Sequence, residues 1–226
     1  LLLSLIWLRQ HPAGEVLGYF FGVSEANVRR TVKRLLPALE AAGRATFRWP
    51  HRNRGRNLPQ ILDDCPEVAV IIDTFEQRVR RPKDREKAQK HYSGKKKQIT
   101  RKTQVCVDWD GHVCHASESV PGPRADITLL KETKVLEMLP EGVGAWGDSA
   151  YQGMRHLHPQ GLAAHPRRKP RGKPRPPEDK AYNTAFARER VTVEHRIADT
   201  PTPRRGGVLG DSRNSGGIPG ALDVLV

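Results

Sequence analysis

Through residues 1–43 the apolar positions follow a helical period, and beyond residue 66 they gather into strand-length runs. Leu1, Leu2, Leu5, Ile6 and Leu8 fit one helix face, and His11-Pro12 stops that helix. A second short helix is predicted over Gly14–Phe21, closed by Gly22. Ser24 then caps a third, Glu25–Leu39, with Val28, Val32, Leu35 and Leu36 at helical spacing. Residues 44–66 show no periodicity and read as a basic linker. Val68-Ala69-Val70-Ile71-Ile72 is a continuous apolar run ending in Asp73, the pattern of a buried central strand. Lys102–Asp108 and His112–Ser119 read as two further strands, joined by Trp109-Asp110-Gly111, where Asp-Gly signals a hairpin. Asp126–Leu139 reads as a helix with Ile127, Leu129, Leu130, Val135, Leu136 and Leu139 on its apolar side. Gly142–Gly147 reads as a short strand leading into Asp148. Residues 165–180 are rich in Pro, Arg and Lys and read as irregular, and Ala181–Ala198 regains helical spacing through Phe186, Val191, Val193 and Ile197.

Strand, hairpin, helix, strand and a last helix make a mixed α/β order. It fits a ribonuclease-H-like mixed sheet flanked by helices, preceded by a small all-α domain. The expected division is a helical domain over 1–43, a linker over 44–66, the α/β domain over 67–199 and a tail over 200–226.

Charge narrows the partners. The chain of 226 residues carries a formal net charge of +14, from 39 Lys and Arg against 25 Asp and Glu. That balance favours a polyanion, of which nucleic acid is the commonest. Cys65, Cys106 and Cys114 form no C-x-x-C pair and point to a reducing compartment. The apolar opening ends at Arg9, too short to span a membrane, and no membrane partner is expected. The chain does not begin with Met, so its true start is expected to be missing.

Within the helical region, a short helix, a turn containing Gly and a capped helix carrying Arg29, Arg30, Lys33 and Arg34 make a helix-turn-helix pattern. Those four side chains are candidate DNA contacts; a helical hairpin with a solvated basic face has the same pattern. Between Arg78 and Lys102 stand twelve Lys or Arg and two acids, and Lys95, Lys96 and Lys97 are the strongest candidates there for phosphate contacts. Arg167, Arg168, Lys169, Arg171, Lys173 and Arg175 form a second candidate surface.

Three acids stand where packing alone does not call for them: Asp73 and Asp148 after apolar strands, and Glu194 on the last helix. A carboxylate beside a buried strand is desolvated unless it is paired or holds a cation. Each alone also fits a cap or an ion pair. Mg²⁺ or Mn²⁺ would supply the compensation, and two such ions about 3.5–4 Å apart would activate a water or 3′-hydroxyl and stabilise the leaving oxygen. His112, Cys114 and His115 do not read as a zinc site, since strand alternation separates Cys114 from His115.

Ile72-Asp73-Thr74-Phe75-Glu76, Arg81-Pro82 and Tyr92-Ser93-Gly94-Lys95-Lys96-Lys97 together resemble the DDE endonuclease domain of insertion-sequence transposases related to Harbinger elements. The resemblance continues through Pro121-Gly122-Pro123-Arg124-Ala125-Asp126, Gly147-Asp148-Ser149-Ala150-Tyr151-Gln152-Gly153 and Arg190–Glu194, and reaches back to the helix-turn-helix. It implies that Asp73, Asp148 and Glu194 are catalytic metal ligands for two Mg²⁺ or Mn²⁺ ions. Asp126 matches a recurring Asp of the family; it reads either as a helix N-terminal acid favoured by the dipole or as a reserve metal ligand. Arg190, four residues before Glu194, shares a helix face with it and would orient it or touch a phosphate.

The function implied is a DNA transposase that cleaves and transfers strands at element ends. Its partners would be double-stranded DNA, as terminal inverted repeats and target, and further copies of itself in a homo-oligomer on DNA. Its place would be the bacterial cytoplasm, with the nucleoid.

The resemblance also breaks. Ala187 stands where some relatives have Tyr, and Pro201 where they have Lys. Thr200-Pro201-Thr202-Pro203 should end the helix, and residues 200–226 are expected to be out of frame or replaced, and disordered. Two other readings follow: a catalytically impaired, DNA-binding remnant of a transposase, and an unrelated metal-dependent nuclease of the same fold.

Overall fold

The computed structural model describes residues 1–199, with side chains described through Val191. The expectation for residues 200–226 lies outside the described residues. Three helices open the chain: α1 (Leu2–Gln10), α2 (Gly14–Phe21) and α3 (Glu25–Ala45). They meet on Leu3, Leu17, Val28 and Val32, with Ile6 and Trp7 packed alongside. The face of α1 differs from the predicted one. Leu3, Ser4 and Leu8 are buried, while Leu1, Leu2 and Leu5 are exposed. With leucine on every side of α1, no polar stripe marks the solvent, so its pattern alone could not choose a face.

α2 closes at Gly22, whose φ of 62° is left-handed, and the Ser24 hydroxyl accepts the Asn27 N–H at 3.3 Å to start α3. α3 runs past its predicted end at Leu39 and carries Pro37 inside it. Pro37 and Lys33 are both exposed, so water can serve the carbonyl that the proline leaves without a donor. The added length has a use. Arg44 pairs with Glu40 at 3.1 Å and donates to the Ala116 carbonyl at 3.0 Å, fastening the end of α3 to the sheet region.

The rest of the fold runs β1 (Ala69–Arg78), α4 (Arg85–Lys90), β2 (Tyr92–Ser93), β3 (Gln98–Val107), β4 (Val113–Ala116) and β5 (Val120–Pro121). It continues with α5 (Asp126–Thr133), β6 (Gly144–Trp146), α6 (Met154–Leu157), β7 (Ala163–Ala164) and α7 (Pro177–Asp199). The sheet is mixed, in the order β2-β3-β1-β6-β7, and β3 is lined in turn by β2, β5 and β4 on its second edge. β1 pairs antiparallel with β3 and parallel with β6, and β6 pairs parallel with β7.

Burial of β1 on both faces explains its unbroken apolar run. Ala69 and Ile71 point to a cluster containing Trp146, Tyr182 and Phe186, under α7. Val70 and Ile72 point to the other cluster, with Leu130, Leu136, Tyr151 and Met154. Part of the stretch read as linker joins this packing, since Leu62 and Cys65 are buried beneath α7. The helix predicted over Asp126–Leu139 breaks at Lys134, whose φ is 51°, and a tighter turn over Val135–Met138 follows. The break lets Val135 and Leu136 reach the core. α7 starts earlier than predicted, at Pro177, where proline's missing N–H would be unpaired in any residue. Among the described residues, no helix is long and apolar enough to cross a membrane.

Candidate active site and nucleic-acid interface

The pairing of β1 with β6 ends at Ile71 and Trp146. Asp73 and Asp148 each lie two residues beyond that last pair, Asp73 midway along β1 and Asp148 just past the end of β6, where the two parallel strands part. β1 itself does not stop at Asp73, as its sequence suggested; it continues to Arg78 along β3. The apolar run stops because β6 no longer covers one edge. Side chains alternate along a strand, so Asp73 has the parity of Ile71, which faces α7.

Local contacts hold both acids. The Thr74 N–H donates to Asp73 Oδ1 at 2.8 Å, and the Ala150 N–H donates to Asp148 Oδ1 at 2.8 Å. Asp148 thereby caps the turn Ser149–Tyr151. Gly147 has to be glycine there, because a Cβ would lie 2.8 Å from the Tyr151 side chain. Gln152 ties the same turn to the following loop, donating to the Pro166 carbonyl at 2.9 Å. Tyr151 is fully buried. Burial is the main reason its phenol is pushed far up; Gln104 opposes that, and the charges of Asp126, Asp73 and Asp148 add to it.

Position 194 is reached through α7. Phe186 stacks on Trp146 and is fully buried, and Arg190 is 8% exposed. Residues 186, 190 and 194 follow one another at four-residue intervals, one stripe of a helix. The side chain of Glu194 lies outside the described residues. Further contacts fix α7 up to that stripe: Arg56 pairs with Glu189 at 3.1 Å, and the Arg167 guanidinium lies 4.1 Å over the Tyr182 ring. The Cys65 thiol sits 3.2 Å from the Tyr182 hydroxyl, and burial pushes that thiol up to about 12.

Asp126 is placed differently from the other acids. Its Oδ1 accepts from the Lys102 ammonium at 2.7 Å and from the Thr74 hydroxyl at 2.8 Å. Lys102 is 7% exposed and also donates to the Arg124 carbonyl at 2.6 Å, with Glu76 3.8 Å away. Sequence reasoning gives Lys102 no role and takes in Thr74 and Glu76 only as part of a longer motif; Glu76 and Lys102 become cross-strand neighbours once β1 pairs with β3.

Among the described residues, one group of three side chains brings ligating atoms within 4.8 Å of one another: Asp108, Asp110 and His112, in the β3–β4 turn. This group could hold a cation, but hydrogen bonds within the turn already account for its closeness. Asp108 accepts from the main-chain N–H groups of Asp110 and His112, both at 2.9 Å, and lies 3.1 Å from His112 Nδ1.

The candidate basic side chains fall in three places, of which residues 167–175 form the exposed stretch before α7. Arg29, Arg30, Lys33 and Arg34 are exposed on α3, opposite buried Val28 and Val32. Arg29 pairs with Glu25 at 2.6 Å and Arg30 donates to Asn27 at 2.8 Å. Lys95, Lys96 and Lys97 form the exposed tip between β2 and β3, where Lys97 has a φ of 50°. Asp73 pairs with Val105, eight residues from Lys97, so the tip begins about 27 Å away along β3, at roughly 3.4 Å per residue.

Residues 72–200 match the family described as DDE superfamily endonuclease, and residues 1–45 match the helix-turn-helix of DDE superfamily endonuclease. The chain is 29% identical over 194 residues to the probable transposase for insertion sequence element IS702 of Microchaete diplosiphon. That alignment covers 86% of this chain and 66% of the relative, so the chain spans just under two-thirds of the relative's length. No solved structure matches the chain.

Proposed function

The chain belongs to the DDE superfamily of endonucleases, and on that premise we propose that it is an insertion-sequence DNA transposase acting through Asp73, Asp148 and Glu194. The observation that carries this reading is strand parity. Asp73 lies two residues beyond Ile71 and Asp148 two beyond Trp146, and both Ile71 and Trp146 pack under the helix on which Glu194 stands. Hard carboxylate oxygens on half-buried positions fit a divalent cation, Mg²⁺ or Mn²⁺. When bound, two such ions would activate the attacking water or 3′-hydroxyl and stabilise the leaving oxygen.

The protein's own side chains do the rest. Arg190 orients Glu194 or neutralises a phosphate beside it. The Lys95–Lys97 tip, about 27 Å from Asp73, holds phosphates about eight base pairs from the cleaved bond, at about 3.4 Å per step. Arg29, Arg30, Lys33 and Arg34 bind the terminal repeats through the helix-turn-helix, which places the recognition helix α3 in a major groove. A homo-oligomer assembled on paired ends completes the reading.

A catalytically impaired, DNA-binding remnant is the second reading. It is favoured by Ala187 and Pro201, which replace the Tyr and Lys of some relatives. Nicking of supercoiled plasmid in Mn²⁺ separates the two. The leading reading expects metal-dependent nicking that Asp73→Ala abolishes while DNA binding is kept. Binding without nicking in the wild-type protein selects the remnant. Cleavage that ignores inverted repeats points to a nuclease of another kind.

A further inference from the structure

We propose that Thr74, Asp126 and Lys102 are positioning residues that aim the Asp73 carboxylate, and that Asp126 is not itself a metal ligand. This rests on the reading of Asp73 as a ligand. Asp73 and Thr74 are consecutive on β1, so their side chains leave opposite faces of the sheet. Thr74 touches Asp73 through its main chain and Asp126 through its side chain. Its N–H holds Asp73 Oδ1 at 2.8 Å, and its hydroxyl donates to Asp126 Oδ1 at 2.8 Å. Holding its hydroxyl on Asp126 holds the same residue whose N–H grips Asp73.

Asp126 is in turn held by Lys102 at 2.7 Å. One carboxylate oxygen offers two lone-pair sites, and Lys102 and Thr74 take both on Oδ1. A lysine with 7% exposure would be strongly destabilising unless compensated, and here the Arg124 carbonyl, Asp126 and Glu76 surround its ammonium. Glu76 is held as well, accepting from the Thr100 hydroxyl at 2.9 Å. At the other end of α5, Thr133 donates to Gln104 at 2.8 Å, and Gln104 is the cross-strand neighbour of Thr74. α5 is therefore pinned at both ends over the β1 position that follows Asp73, which locks the clamp to the strand pair rather than to a loop.

The test is Mn²⁺ binding to the full-length protein, followed by the paramagnetic resonance of free Mn²⁺, with thermal melting measured beside it. Asp73→Asn sets the scale and should remove the site. Thr74→Val deletes only the hydroxyl and should weaken Mn²⁺ binding about tenfold, the size expected when a group that orients a metal ligand is removed. Thr74→Ser should restore wild-type binding, and Asp126→Asn should weaken binding no more than Thr74→Val does. Wild-type affinity in Thr74→Val would overturn the proposal, as would an Asp126→Asn protein that loses Mn²⁺ as completely as Asp73→Asn. Unchanged binding in Asp73→Asn would instead remove the underlying reading of Asp73, and the proposal with it.

Discussion

The rings of Trp146 and Phe186 stack with centroids 4.4 Å apart and planes within 10°. This contact joins β6, whose continuation carries Asp148, to α7, the helix that carries Glu194. Trp109 adds an edge contact to Trp146 at 4.9 Å, and Tyr182 stacks on Phe186 at 6.0 Å. The aromatic cluster therefore sets how far the late helix stands from the strand ends. Phe186→Ala should cost about 3–5 kcal/mol of stability in denaturant unfolding, since a fully buried ring leaves a cavity. Metal-dependent nicking should fall even at temperatures where the variant is folded, and Phe186→Leu should keep most of both. Full nicking by a folded Phe186→Ala protein would show that α7 is placed by something else.

Asp148 offers a separate test. Asp148→Asn preserves the cap on the Ala150 N–H, because the side-chain amide still presents a carbonyl oxygen. The variant should melt like wild type and bind DNA like wild type, yet lose nicking by several orders of magnitude. Chelation of divalent ions should give the same loss in the wild-type protein. Nicking that survives either treatment contradicts the role given to Asp148.

Much of this arrangement was legible in the chain, and the exceptions have physical causes. The all-apolar Val68–Ile72 run predicted a strand buried on both faces, and Ser24 marked the start of α3 correctly because a cap is a local hydrogen bond. The face expected for α1 put exposed Leu1, Leu2 and Leu5 inside, because the helix lacks a polar stripe to mark the solvent. The end of α3 was missed because residues 40–45 carry no large apolar side chain, while Arg44 fastens this last turn through Glu40 and the Ala116 carbonyl. Asp73 and Asp148 were visible as acids after apolar runs. The Lys102–Asp126 pair was not, because its partners stand 24 residues apart and meet only once α5 has docked on the sheet.

Stability should depend on pH through His158. Its Nε2 donates to the Val143 carbonyl at 3.0 Å, while Nδ1 accepts from the N–H groups of Gln160 at 3.1 Å and Leu162 at 3.3 Å. Burial lowers its pKa below the ordinary 6.5, with the Val143 carbonyl opposing the shift. The fold thus favours the neutral ring, and the unfolded chain takes up a proton first as pH falls. The contribution is complete above 6.5 and declines as pH drops through that value toward the lower folded one. Melting temperature should fall between about pH 7.5 and 5, and His158→Gln should flatten the slope, leaving the part due to His115, which is lowered by burial and by Arg44. A slope unchanged by His158→Gln would refute the assignment.

DNA affinity should depend on salt through α3. Lys33 and Arg34 are exposed on it. Replacing both with Ala should weaken duplex binding and make the plot of log affinity against log salt shallower by about 0.9 for each phosphate no longer neutralised. Equal salt slopes in the variant and the wild type would place the DNA on another surface.

Crystals soaked in Mn²⁺ test the central claim most directly, through anomalous scattering at the manganese edge. The account predicts density between the carboxylates of Asp73 and Asp148, with Glu194 completing the oxygen set and Asp126 still on Lys102. Manganese found solely at the Asp108–Asp110–His112 turn, or Glu194 directed away from the strand ends, would contradict it.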